Sequence, residues 1–203
     1  MKQERRVFAL QDVKFETRAD GEGVEKPVII GHAAVFNQLS EDLGGFREKI
    51  APGAFAEAIN RDDVRALFNH DPNFVLGRNK AGTLRMTEDA VGLRVEIDPP
   101  DTQVARDLMV SLKRGDISQM SFGFIVEAQA WEEGEDGKIT RTIKKAGLFD
   151  VSPVTYPAYP MTDVAVRSLE EFKNSKVPAE PCPETLRRHY EILNLSFGPV
   201  AKG

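Results

Sequence analysis

Three side chains far apart in the sequence, Ser121, His70 and Asp150, are of the types that nucleophilic chemistry needs. A serine hydroxyl attacks poorly until a base takes its proton. A histidine can do so near neutral pH when an acid holds its ring in the right tautomer. Ser121 lies in RGDISQMSFGF, between Met120 and Phe122. Side chains alternate along a strand, so Ser121 faces away from these two apolar neighbours and shares its side with Gly123, which adds no bulk. His70 closes the run RALFNHD, and Asp150 follows Leu148 and Phe149 in GLFDVSPVTYPAYP. A base at one strand end and an acid at another would be assembled on the serine by the fold, with Asp150 accepting the ring N–H of His70.

Each of these residues has rivals. Ser118 is three positions upstream and falls on the opposite face of a regular strand, although a bulge would exchange the two serines. Asp71 competes with Asp150, but a residue adjacent to His70 in sequence points away from it. His32, inside PVIIGHAAVF, reads as a hydrogen-bonded structural histidine, and His189, between Arg188 and Tyr190, as a surface residue. The single cysteine, Cys182, excludes an internal disulfide framework and a cysteine-cluster metal site. Its Pro-rich setting, PCPET, is not the structured electropositive one of a reactive thiol. No HExxH motif, no GxxxxGK[ST] and no GxGxxG occurs, so neither a metal centre nor a phosphate cradle is expected and no cofactor is implied. The serine also lacks the GxSxG elbow of esterases, since MSFGF has no leading glycine.

Positioning such residues requires a folded core, and 203 residues provide for one such core plus a tail. A net charge of -5 gives no electrostatic reason to expect nucleic acid. The basic pairs Lys144-Lys145 and Arg187-Arg188 lie among acids and read as solvated surface. No apolar run approaches the roughly 20 residues that cross a bilayer, and MKQERRVFAL has no signal-peptide core, so a cytoplasmic chain without a membrane partner is expected.

The pattern predicts strands at 6–16 and 27–36 with a turn around Asp20-Gly21 and Gly23, then a short helix over 51–60 with Pro52 in its first turn. Four short β runs follow, VRALFNH, FVLGR, TLRMT and GLRVEID, spaced as in a meander or barrel. Asp101 opens an amphipathic helix with Val104, Ala105, Leu108 and Leu112 on one face and Gly115 past its end. A hairpin pairs 117–131 with 138–149 across GEDG, and 150–155 and 162–167 read as two more strands. From Ser168 the composition becomes that of a linker, followed by an amphipathic helix in ETLRRHYEILNL with Leu186, Tyr190 and Leu193 on one stripe. The expected fold is therefore α+β and β-rich, with a domain over 1–168 and a linker plus helix over 169–203 that either docks back on the domain or is a removable or targeting segment.

The ordered segments GHAAVFN, IAPGAFAEAI, ALFNHD, LGRNKAGTLRM, GLRVEID, DTQVARDLMVSLKRGDISQMSFGF and LFDVSPVTYPAYP, from about Ile29 to Arg167, resemble the prohead (capsid maturation) proteases of tailed bacteriophages of the HK97 type. The resemblance implies a serine endopeptidase with the fold of the herpesvirus assemblins, a closed antiparallel β-barrel flanked by helices. Such enzymes work in the host cytoplasm inside the assembling procapsid. They cut the scaffold or the scaffolding arm of the major capsid protein, and also themselves, and act as dimers or higher homo-oligomers. Carried over position by position, the family's histidine falls on His70, its serine on Ser121 and the acid opening its last motif on Asp150. The alternative from another class is a non-catalytic capsid assembly or scaffold protein that keeps the protease barrel. Labelling of the serine by a fluorophosphonate separates the two.

Overall fold

The computed structural model describes residues 4–8, 14–19, 25–156 and 163–176. From the N-terminus the chain runs through β1 (Glu4–Phe8), β2 (Lys14–Ala19), β3 (Glu25–Val35), β4 (Arg47–Ile50), a one-turn helix α1 (Ala58–Arg61), β5 (Arg65–Phe68) and β6 (Asp71–Arg78). A 3-10 turn at Asn79–Ala81 leads to β7 (Leu84–Glu88) and β8 (Gly92–Ile97). Helix α2 (Gln103–Arg114), the long strands β9 (Gln119–Glu133) and β10 (Ile139–Val154), and helix α3 (Asp163–Lys176) complete it. The chain divides into two compact units, Met1–Arg167 and Ser168–Gly203.

Among the described residues, ten strands form two sheets. The first has the order β1-β9-β10-β5-β6, with β4 also pairing β10, and the second the order β2-β3-β8-β7. β9 and β10 form an antiparallel hairpin, whereas β4 and β5 both run parallel to β10, at Thr140–Ile143 and Asp150–Val151 respectively. The core is shared by both sheets: Ile29, Leu93, Val95 and Ile97 from one pack with Phe122, Phe124 and Val151 from the other and with Leu108 of α2. Burying each such side chain contributes about 1.5–3 kcal/mol. β3 and β8 approach so closely that a Cβ on Gly92 would lie 1.9 Å from the Ala34 carbonyl oxygen, which only glycine avoids.

Helix α2 follows the expectation closely. Thr102, one residue after Asp101, caps it through Oγ1, which accepts from the Ala105 N–H at 3.3 Å, and Ala105, Leu108 and Met109 are its buried residues.

Several elements differ from the sequence expectation. The stretch 6–16 is not one strand, because β1 pairs with β9 and β2 with β3, in different sheets. The expected turn at 20–23 lies outside the described residues. The helix over 51–60 shrinks to Ala58–Arg61. Gly53 adopts φ +85, which no helix contains, and the backbone upstream bonds to β10 instead: the Ala51 N–H donates to Ile143 and the Ala146 N–H to Ala54. The four short runs are no meander, since β5 and β6 join the first sheet while β7 and β8 join the second. Residues 150–154 continue β10 rather than starting a new strand, and the strand expected at 162–167 is replaced by α3, which also takes up the start of the expected linker. The helix expected in ETLRRHYEILNL, with His189, and Cys182 before it, lies outside the described residues.

Candidate active site

His70 follows β5 in a tight turn to β6. Asn69 and His70 have φ of +53 and +57, the left-handed backbone that a two-residue hairpin turn requires at both central positions. Asparagine tolerates this conformation; histidine adopts it at a cost and is held there by its surroundings. The turn is tied to the end of β10 through Asn69. Its N–H donates to the Pro153 carbonyl at 3.0 Å and its Nδ2 to Thr155 Oγ1 at 3.2 Å, while the Thr155 N–H donates to Asn69 Oδ1 at 2.8 Å.

Asp150 reaches the same place because β10 carries a bulge. Leu148 is paired with Phe124 and Asp150 with Gly123, so Phe149 is an extra residue, and its side chain is 41% exposed. Without it, Asp150 would share the face of Leu148 and point into the core. With it, Asp150 and Ser152 move to the face of Gly123 and Ser121. Beside the bulge, the Leu148 N–H donates to Asp62 Oδ2 at 2.8 Å. Burial would raise the Asp62 carboxyl, but Arg61 and the Leu148 N–H outweigh it and hold that carboxyl below its ordinary value.

Ser121 sits in β9 where stacking fixes the strand. Phe122 lies 4.7 Å from Phe124 and meets Phe55 edge-on at 5.5 Å, both on the face opposite the serine. The hydroxyl of Ser121 is 2.6 Å from His70 Nε2, and His70 Nδ1 donates to Asp150 Oδ2. Ser152 Oγ donates to the same Asp150 oxygen at 3.0 Å. The acid thus fixes the proton on Nδ1 and leaves Nε2 as the acceptor for the serine proton. Such a chain can raise the nucleophilicity of Oγ and carry its proton to a leaving group.

The whole chain is out of solvent: Ser121 is 0% exposed, Asp150 5% and His70 8%. The cover over the serine is β1. Val7 is paired with Ser121, and the Arg6 carbonyl lies 2.9 Å from Ser121 Oγ, a second acceptor for the same hydroxyl. A backbone carbonyl therefore already stands against the Ser121 hydroxyl.

The rivals fall elsewhere. Ser118 is exposed and precedes β9. Asp71 turns to the start of its own strand, accepting from the N–H and Nδ2 of Asn73 at 2.8 and 2.9 Å. His32 bonds Asp89 at 2.9 Å. Among the described residues, no group of three His, Cys, Asp or Glu side chains is placed to hold a metal ion, and no helix is long and apolar enough to cross a membrane. Sequence reasoning missed Asn69, Ser152 and Arg6. Asn-His between two apolar runs was a usable hairpin signal for the first, but nothing local marked the other two.

A buried serine, histidine and acid in one hydrogen-bonded chain, on a β-rich two-sheet scaffold, is the arrangement of a serine hydrolase. The family model for the caudovirus prohead serine protease matches residues 13–176, and the chain belongs to that family. Among solved structures it is similar to the capsid assembly protease gp21 of bacteriophage T4, with 9% sequence identity and a TM-score of 0.53. That likeness covers 77% of this chain and 98% of the other, and it extends to the fold. No curated protein matches.

Proposed function

We propose that this chain is the capsid maturation endopeptidase of a tailed bacteriophage, with Ser121 as nucleophile, His70 as general base and acid, and Asp150 as the acid that holds His70. The observation that carries this reading is the hydrogen-bonded chain from Ser121 through His70 to Asp150. His70 takes the proton of Ser121 as Oγ attacks a peptide carbonyl, then delivers it to the departing amine. A base so placed contributes on the order of 10²- to 10⁴-fold. Burial strengthens the Asp150 to His70 bond and excludes water from the imidazolium.

The substrates on this reading are the scaffold or the scaffolding arm of the major capsid protein, met inside the procapsid in the host cytoplasm, and the chain itself. Self-cleavage is supported by the Arg6 carbonyl against Ser121 Oγ. The active species is a homo-oligomer, a dimer or larger, and the two sheets close into a barrel around the core they share. Residues 169–203 form a removable or targeting tail, so truncation at Ser168 spares peptide hydrolysis and lowers incorporation into capsids. The test of the peptidase reading is fluorophosphonate labelling of the purified chain together with digestion of capsid protein. Label on Ser121 and cut capsid protein are expected; an unlabelled chain that leaves capsid protein intact would refute it.

A further inference from the structure

A second set of buried polar residues lies across β1 and takes no part in proton transfer. Glu4 and Arg6 of β1, Glu48 of β4 and Arg141 of β10 are each at most 3% exposed. Arg6 Nε donates to Glu48 Oε1 at 2.8 Å and Arg6 Nη2 to Glu4 Oε2 at 2.6 Å. Arg141 donates to Glu48 Oε2 at 2.9 Å and, through both terminal nitrogens, to Glu4 at 3.1 Å. Gln129 accepts from Arg141 Nε at 2.6 Å, and the Arg6 guanidinium lies 5.6 Å from the centre of the Phe124 ring.

Four buried charges are a poor way to stabilise a fold, because desolvation offsets most of their attraction and apolar replacements are often as stable. What such a cluster supplies is discrimination, since a strand lacking the matching charge leaves a buried partner unpaired. The division of the four residues fits that role. Glu48 and Arg141 pair with each other and belong to the body of the sheet, so they stay neutralised when β1 leaves. Each also presents atoms to the covering strand: Glu48 Oε1 meets a cation, and the Arg141 guanidinium grips a carboxylate. Glu4 and Arg6 are two apart in an extended strand and so share one face, while Arg5 between them is exposed.

We propose that Glu48 and Arg141 select the cleavage sites of this protease, reading a basic residue whose carbonyl meets Ser121 and an acidic residue two positions before it. The inference rests on the peptidase reading above. In this chain the sequence is Glu4-Arg5-Arg6 and the bond cut is Arg6 to Val7. Ser121 Oγ shifts from the Arg6 oxygen to its carbon as His70 takes the hydroxyl proton. The bond to the Val7 nitrogen then breaks and that nitrogen receives the proton. Water, deprotonated by His70, attacks the resulting ester, which frees Ser121 and leaves a carboxylate on Arg6.

The test uses the full-length chain and quenched fluorescent peptides of the sequence MKQERRVFALQD, with the changes Arg6→Ala, Glu4→Ala and Arg5→Ala, products being identified by mass. Cleavage after Arg6 is expected, with kcat/KM lowered about 100-fold by Arg6→Ala and by Glu4→Ala, the size expected for truncating one side of a buried charge pair. Arg5→Ala should change it by no more than about twofold, as for an exposed position. In the enzyme, Glu48→Gln should narrow the gap between the parent peptide and one carrying Arg6→Gln, a readout that a merely structural role for Glu48 would not move. Equal rates on all the peptides, or cutting at another bond, overturn the selection rule and leave the peptidase reading standing. If no peptide is cut the selection rule also falls, and labelling of Ser121 with digestion of capsid protein decides whether the peptidase reading falls with it.

Discussion

The two sheets treat charge in opposite ways. In the four-stranded sheet, β8 alternates strictly, with Leu93, Val95 and Ile97 buried and Arg94 and Glu96 turned outward. Its ion pairs lie on that outer face: Glu96 meets Arg18, Arg85 and Arg94, and Arg85 also meets Asp98, with the arginine side chains 33–44% exposed. The six-stranded sheet buries polar groups on both faces instead. Ser121, Asp150 and Ser152 share one, joined there by His70, while Glu4, Arg6, Glu48 and Arg141 form a bonded cluster reached by the other face of β1. An exposed pair is worth about 0–1 kcal/mol, whereas removing one partner of a buried pair costs about 3–5 kcal/mol. Removing a single charged partner is thus cheap on one sheet and costly on the other, and every group proposed to act on substrate is buried in the second.

The largest effects are expected where that burial serves chemistry. Ser121→Ala should lower turnover by about 10⁶-fold, the scale of losing a nucleophile, and should leave the N-terminus untrimmed in intact-mass spectra. Full turnover in this variant would mean that the buried chain of hydrogen bonds is structural. Asp150→Asn should cost about 10⁴-fold in kcat. The asparagine amide would donate to Nδ1 and drive the ring proton to Nε2, where it can no longer accept from Ser121. A drop below tenfold would show that Ser152 or the turn alone suffices to orient His70.

Which of these groups could be read from sequence depends on how local their cause is. The face of Ser121 follows from simple alternation and was legible. The face of Asp150 was not, because alternation from Leu148 places it in the core and only the extra residue, Phe149, reverses it. His70 was legible as a strand end but not as a left-handed turn residue, since its φ is imposed by Asn69 bridging to Pro153 and Thr155 more than 80 residues away. The apolar runs of β5 to β8 marked four strands correctly and their sheets wrongly, as sheet membership depends on partners that periodicity does not name. Arg6 read as the start of a strand, but nothing local marked it or Glu4 as buried; their burial needs Glu48 and Arg141, brought together by β4 and β10.

On stability, the contrast between the sheets can be broken with two alanines. Glu48→Ala should destabilise the chain by about 3–5 kcal/mol in urea unfolding, because Arg6 and Arg141 are left buried without their shared partner. Arg85→Ala, which removes an equally well-formed pair with Asp98 at the surface, should cost under about 1 kcal/mol. Similar losses for the two would show that burial does not separate these networks.

The smallest effect is a pH dependence on the outer face of the four-stranded sheet. The hydrogen bond from Arg18, supported by those from Arg94 and Arg85, outweighs partial desolvation and holds the Glu96 carboxyl at about 2, against an ordinary 4.5. A carboxylate with a depressed pKa in the folded state stabilises the fold above its unfolded pKa, and that contribution is lost as pH falls through the folded value. Stability should therefore decline between about pH 4.5 and 2, and Glu96→Gln should flatten that part of the profile in urea unfolding followed by circular dichroism. Because the arginines are part-exposed, added salt should shrink the difference between the two proteins. A slope that Glu96→Gln leaves unchanged would assign the acid sensitivity to other carboxylates and remove Glu96 from the account of the outer face.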